Sequence, residues 1–223
     1  TLGEIGALAA ITDLKPLLSA ADYRLRLESA TALARLSHPS GLKHLHELLE
    51  SSDSLTQVEA ALRLLELGDL AGSPLLKHIT STRSELDART LLIIGALARA
   101  SDAEARAQLL DLSRTAAPSP LRPQLAFALS RIGDGAARTQ LESLADKTGP
   151  TQLLSARLLA SLGDPRGYVL LRDTAASSQQ SEPLRAIAID GLGDCGDPAA
   201  APVLYKLLSE RGISSRLRLL AAG

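Results

Sequence analysis

At 223 residues the chain is long enough for one large or two ordinary domains, with 45% hydrophobic, 22% charged and 2% aromatic residues. Its 24 basic and 25 acidic side chains leave a formal net charge of -1, which excludes a generally basic nucleic-acid binder, while the apolar fraction excludes an acidic disordered tail. The single cysteine, Cys195, excludes an internal disulfide framework and a Cys-based zinc site, and the longest apolar run, residues 91–98, is far too short to span a bilayer.

Taken in chain order, one turn signature recurs: Ile5-Gly6, Leu36-Ser37-His38-Pro39, Leu67-Gly68-Asp69, Ala100-Ser101-Asp102, Ile132-Gly133-Asp134, Leu162-Gly163-Asp164-Pro165 and Cys195-Gly196-Asp197-Pro198. Its Gly or Ser falls at positions 6, 37, 68, 101, 133, 163 and 196, spaced 30 to 33 residues apart, a period in the range of solenoids. The small residue ends a helix because it takes the left-handed conformation at low cost. The Asp after it caps the next helix, and Pro39, Pro165 and Pro198 suit that helix's first turn, where no backbone donor is required. A second break lies about halfway round each period, at Ser51-Ser52-Asp53, Ser81-Thr82, residues 117–120, Thr148-Gly149-Pro150 and residues 177–183. Pro120, Pro150 and Pro183 share one phase, thirteen residues before the next marker. Each period therefore holds a helix A after its marker and a helix B before the next.

Counting back four residues from each marker gives a leucine column on helix B: Leu2, Leu33, Leu64, Leu97, Leu129, Leu159 and Leu192. Seven back stand Ala30, Ala61, Ile94, Ala126, Ala156 and Ile189. The positions eight and twelve back widen this stripe, with Thr56, Arg89 and Thr151 as polar exceptions. These positions share one arc of a helix. Eight and eleven residues past each marker, pairs such as Leu45/Leu48, Leu109/Leu112 and Leu141/Leu144 give helix A its own stripe. Small residues at the crossing let the two helices approach closely, so the core needs few aromatics. Antiparallel helix pairs sharing one core are the expected result.

The phrases Leu25-Arg26 … Ala32-Leu33 … Leu36, Leu121-Arg122 … Ala128-Leu129 … Ile132-Gly133-Asp134, and Leu184-Arg185 … Leu192 … Gly196-Asp197-Pro198 resemble the HEAT-like repeat of phycobilisome lyase subunits. The resemblance runs through essentially the whole chain. It implies an all-α fold, a right-handed α-solenoid (superhelix) of about seven antiparallel helix-pair repeats over residues 1–223. It also implies a structural polar ladder between the helix B arginines, Arg26, Arg122, Arg185 and Arg216, and the turn Asp. Gln57, Thr90 and Gln152 depart from that pattern, Arg89 being a substitute in the third repeat, and Ala7 and His38 replace the Asp. The chain has no methionine, and both ends cut through a helix B without a polar capping repeat. A window from a longer array is the expectation, with the rest of its own chain as a neighbour.

Catalytic constellations are sparse, and no catalytic residue, metal or cofactor is expected. His44 and His46 are two apart on a helix A and point to different faces, whereas a chelating helical pair needs a spacing of three or four. Deoxyhypusine hydroxylases are HEAT-like enzymes that hold iron through repeated His-Glu pairs on the inner helices. Here the single pair is His46-Glu47, on an outer helix, so that resemblance fails. Cys195 lies in a turn with no histidine at matching phase. The glycine-rich stretch 191–196 ends a helix instead of following a strand, which removes a phosphate-loop mechanism.

The exposed face of helix B carries more information, because inner helices of solenoids line the usual binding groove. Six residues before the markers stand Thr31, Leu62, Gly95, Phe127, Arg157 and Asp190, read as pointing outward; nine before stand Glu28, Glu59, Leu92, Gln124, Leu154 and Ile187. The expected binding stripe is Leu62, Leu92, Phe127 and Leu154, edged by Arg35, Arg99, Arg131 and Arg157. An exposed apolar patch flanked by Arg suits a protein or peptide partner. The competing reading is that these side chains lean onto neighbouring helices. The expected function is a non-enzymatic interaction scaffold; the alternatives are a lyase-type accessory subunit handling a chromophore or partner protein and, against the charge balance, a nucleic-acid binder.

Overall fold

The computed structural model describes residues 9–83, 85–115, 121–194, 199–209 and 214–222. The Gly6 turn with Leu2 and Ala7, residues 118–120, and the Cys195-Gly196-Asp197-Pro198 turn lie outside the described residues. The chain forms two compact units, Thr1–Leu109 and Leu110–Gly223. Among the described residues both are helical, with no strand.

In the first unit, helical residues 9–14 enter a 3-10 turn at Lys15–Ser19. Then come α1 (Tyr23–Arg35), α2 (Pro39–Leu49), α3 (Ser54–Glu66), a 3-10 turn at Leu70–Gly72, α4 (Ser73–Thr82) and α5 (Ala88–Arg99); the unit boundary falls within α6 (Ala103–Arg114). The second unit continues with α7 (Arg122–Arg131), α8 (Gly135–Ala145), α9 (Pro150–Ser161), α10 (Pro165–Ala176), α11 (Glu182–Asp194), α12 (Ala200–Ser209) and α13 (Ser215–Ala222). Odd-numbered helices are the B helices, even-numbered ones the A helices. From α1 to α5, and again from α7 to α13, each helix packs on the next, and each B helix also touches the B helix after it. This is an α-solenoid arrangement of stacked pairs within each unit.

The turns form as their residues require. Ser37, Gly68, Ser101, Gly133 and Gly163 all have positive φ, between 57° and 93°. One residue further on, the backbone N–H groups of His38, Asp69, Asp102, Asp134 and Asp164 donate to the carbonyls of Leu33, Leu64, Leu97, Leu129 and Leu159, the long bond of a Schellman motif. The acceptors are the leucine column. One residue per repeat thus supplies both a core side chain and the carbonyl that stops its helix. Leu33, Leu64, Leu97, Leu129, Leu159 and Leu192 are none of them more than 3% exposed.

Asp69, Asp102, Asp134 and Asp164 then accept a backbone N–H in the first turn of the following helical segment. Where the Asp is missing, Nδ1 of His38 accepts the Ser40 N–H at 3.3 Å. Asp22, Asp53 and Asp87 do the same work at the starts of α1, α3 and α5, a role the sequence had marked at Asp53 only as a break. Helix A crosses helix B at a small residue four past the marker, as at Gly41, Gly72 and Gly167, and Ala105 and Ala137 in the same register are also buried. A β-carbon on Gly72 would come within 2.6 Å of Ala61 Cα, so the crossing is backbone against backbone.

Candidate interaction face on the B helices

The position six before the marker is not the crest of helix B. Thr31 is 1% and Leu62 8% exposed, and Gly95, Phe127 and Arg157 are half-buried. Of that set only Asp190 is exposed. The cause is the contact between successive B helices, which covers the flank on which these side chains stand. Thr31 turns its hydroxyl inward and donates to the Leu27 carbonyl at 2.8 Å. The true crest lies nine and two before the marker, where Glu28, Arg35, Glu66, Leu92, Arg131 and Ser161 are exposed. Leu62 therefore belongs to the core and not to an open stripe, a correction to the expected face.

In the first unit the crest is a mesh of ion pairs. Arg63 Nη2 on α3 lies 2.6 Å from Glu28 Oε1 on α1, and its Nη1 lies 3.2 Å from Glu66 within α3. Arg35 reaches the same Glu66 at 3.9 Å from α1. Glu28 and Glu66 hold the Arg63 guanidinium in its charged form. Beyond this mesh Leu92 stands 52% exposed on α5, with Arg99 half-buried at the end of the same helix.

In the second unit the face is less charged. Phe127 on α7 packs partly against the core cluster of Ala126, Leu141 and Leu159, and the Arg131 guanidinium lies over its ring, 5.5 Å from the centroid. Leu154 on α9 and Ile187 on α11 are half-buried at the position nine before their markers. Arg157 on α9 bonds Asp190 on α11 at 3.0 Å. Phe127, Leu154 and Ile187 thus stand on three B helices that pack in succession. Ile187 belongs with this group although it was not placed in the expected stripe; its register, shared with Leu92 and Leu154, was the signal.

The polar ladder is built differently from the one the resemblance implies. Arg26 donates to the carbonyls of Ala20 and Ala21 at 2.7 and 2.9 Å, Arg185 to Ala175 at 3.0 Å, and Gln57 to Leu49 at 3.0 Å. The residue eleven before the marker therefore ties the end of the preceding helix A, and Gln does so as well as Arg. No ion pair is needed there, because the acceptors are the free carbonyls of a helix end. The turn Asp instead meets the preceding helix A. His46 Nε2 donates to Asp69 at 2.9 Å, Lys77 pairs with Asp102, and Arg138 pairs with Asp164 at 3.0 Å. Arg166 also reaches Asp164, at 2.8 Å. These hydrogen bonds, Arg166 foremost, lower the Asp164 pKa to about 2.

Two of the histidines serve structural pairs, His46 with Asp69 and His44 with Glu47, whose Oε2 lies 3.0 Å from the His44 Nδ1. Among the described residues no cluster of three or more His, Cys, Asp or Glu could hold a metal ion, and no helix is long and apolar enough to cross a membrane.

Comparison with known proteins agrees with this register. Residues 11–94 match the family of HEAT repeats, and residues 184–210 match the PBS lyase HEAT-like repeat. No curated protein sequence matches the chain. Among solved structures, human deoxyhypusine hydroxylase in complex with glycerol aligns over 95% of this chain and 82% of its own, with 16% identity and a TM-score of 0.42. One matched stretch lies in each unit, and the same Schellman turns, leucine column and helix pairs run through the repeats between them: the chain is a HEAT-like repeat protein, a scaffold of stacked helix hairpins.

Proposed function

We propose that this scaffold is a non-enzymatic interaction module that binds a protein or peptide partner along its B helices, with Phe127, Leu154 and Ile187 as the apolar contact surface in the second unit. The observation that carries this reading is the succession of half-open apolar side chains on α7, α9 and α11. The neighbouring arginines already have partners within the chain, Arg131 on the Phe127 ring and Arg157 on Asp190. What remains for a partner to cover is apolar area, the kind of surface that recognises protein. In the first unit Leu92 offers a smaller patch beside Arg99, while Arg35 is tied to Glu66.

The same pairing disfavours a phosphate backbone as the ligand, since arginines matched by carboxylates contribute little positive potential. The lyase-type alternative keeps the repeat and differs in its cargo. Binding experiments with the chain as bait separate these readings. Leu154→Asp should lower partner capture by about tenfold or more, as loss of a buried interface anchor does, with the helical circular dichroism unchanged. Phe127→Asp is a poorer probe, because Phe127 also packs against Leu141 and Leu159. Capture that is indifferent to Leu154→Asp would sink the proposed face. Capture that collapses with added salt would favour nucleic acid, and a co-purifying visible chromophore would favour the lyase-type reading.

A further inference from the structure

Arg89 stands twelve residues before its marker, a place the other repeats fill with Leu25, Thr56, Leu121, Thr151 and Leu184. It does not tie the end of helix α4 as Arg26, Gln57 and Arg185 tie theirs; among the described residues its half-buried side chain has neither an ion pair nor a hydrogen bond. Arg89 instead helps to line a pocket of about 200 Å³ in the first unit, with Ser54, Val58, Ile79, Thr82 and Arg83. The pocket lies where α3 begins, α4 ends and α5 begins.

A charge census of the walls is one-sided. Two arginines, a serine, a threonine, a valine and an isoleucine line the pocket, and no acidic residue is among them. The acids at the starts of α3 and α5 are already engaged. Asp53 accepts from the backbone N–H and the hydroxyl of Thr56, and Asp87 accepts from the Thr90 N–H and from Arg83 at 2.8 Å. Both carboxylates therefore cap their helices, so the helix ends are not the ligand's donors. Thr82 donates its own hydroxyl to the His78 carbonyl. The donors left for a guest are the Arg89 guanidinium, the remaining nitrogens of Arg83 and the Ser54 hydroxyl, with Val58 and Ile79 behind them. Two arginines on a pocket with no acidic residue in its lining give it a positive potential that favours an anionic guest.

We propose that this pocket is a binding site for a small phosphate ester, whose phosphoryl oxygens take the donors of Arg89, Arg83 and Ser54 while its short organic part rests on Val58 and Ile79. Forked guanidinium donors match phosphoryl oxygens, and the volume leaves room for only a small group beside the phosphate. This site is separate from the proposed partner face, and neither depends on the other.

The test is a backbone-amide chemical-shift titration of the full chain with propyl phosphate and with inorganic phosphate, at constant ionic strength. The expected result is a saturable shift confined to residues near 54, 83 and 89, tighter for the ester than for the bare ion. Arg89→Gln should weaken it by about tenfold or more, as loss of a charge-assisted contact does. Because Arg89 has no partner among the described residues, that variant should melt at the parent temperature; Arg83→Gln provides a second readout. An unsaturated response, or one equal in Arg89→Gln, would mean an adventitious ion only and would overturn the site. Acetate binding as tightly as propyl phosphate would overturn the ligand class.

Discussion

Ser37 and Ser101 hold φ values of 57° and 68°, the left-handed turn that Gly68, Gly133 and Gly163 occupy in the other repeats. A β-carbon there is strained, so Ser101→Gly should raise unfolding free energy by about 0.5–1 kcal/mol, read by urea denaturation. A loss would mean that the serine hydroxyl contributes more than its backbone costs. Gly167 is small for a different reason. A β-carbon there would come 2.5 Å from the Ala160 backbone nitrogen and closer still to the Ala156 carbonyl oxygen. Gly167→Ala should therefore cost about 3 kcal/mol, since backbone must move to admit one methyl group; a near-neutral melting curve would show that α9 and α10 can separate freely. Asp164, 5% exposed, has its pKa lowered from 3.8 to about 2 by Arg166 and Arg138. The folded state thus prefers the carboxylate, and the stabilisation is complete above pH 4 and lost as pH falls towards 2. It amounts to about 1 kcal/mol after screening by solvent around the two arginines. Asp164→Asn, which keeps a capping acceptor, should flatten the stability curve over that acid range.

At the scale of the element, helix boundaries were legible because caps and left-handed turns are local chemistry. Helix A was bounded by its Asp cap and helix B by its Gly or Ser, since each needs only neighbouring residues, whereas the cap at His38 emerged only in the structure. The tie between hairpin halves was not legible. The resemblance pointed to arginine facing the turn Asp, yet Gln57 performs the same task as Arg26 on a helix-end carbonyl. Gln57→Ala should cost about 1 kcal/mol, as one lost intramolecular hydrogen bond does, and Gln57→Arg should restore it. A double-mutant cycle between Gln57 and Asp69 should give coupling below about 0.5 kcal/mol, because the two do not meet. Strong coupling would reinstate the ladder with the turn Asp.

For the whole chain, nearest-neighbour packing predicts that repeats can be removed in integral units. Deleting residues 133–162 joins one turn marker to the next in phase and should leave a cooperatively folding helical protein of lower stability. Deleting only α8 should not, because α7 and α9 would then lack the helix on which both pack. Equal behaviour of the two deletions in circular dichroism and thermal melting would contradict this repeat grammar.

The amino-acid order by itself determined the period, the turns, the leucine column and the all-α class, because helical pitch, capping and the cost of positive φ act within a few residues of chain. Only the tertiary structure decided which outward side chains stay open. Thr31 and Leu62 share a register with Asp190, yet they are covered where it is exposed. The tertiary structure also decided that Arg63 meets Glu28, thirty-five residues away, and that Arg157 meets Asp190. Those outcomes depend on the spacing and rotation of neighbouring helices, quantities set by packing between repeats and written in no single helix.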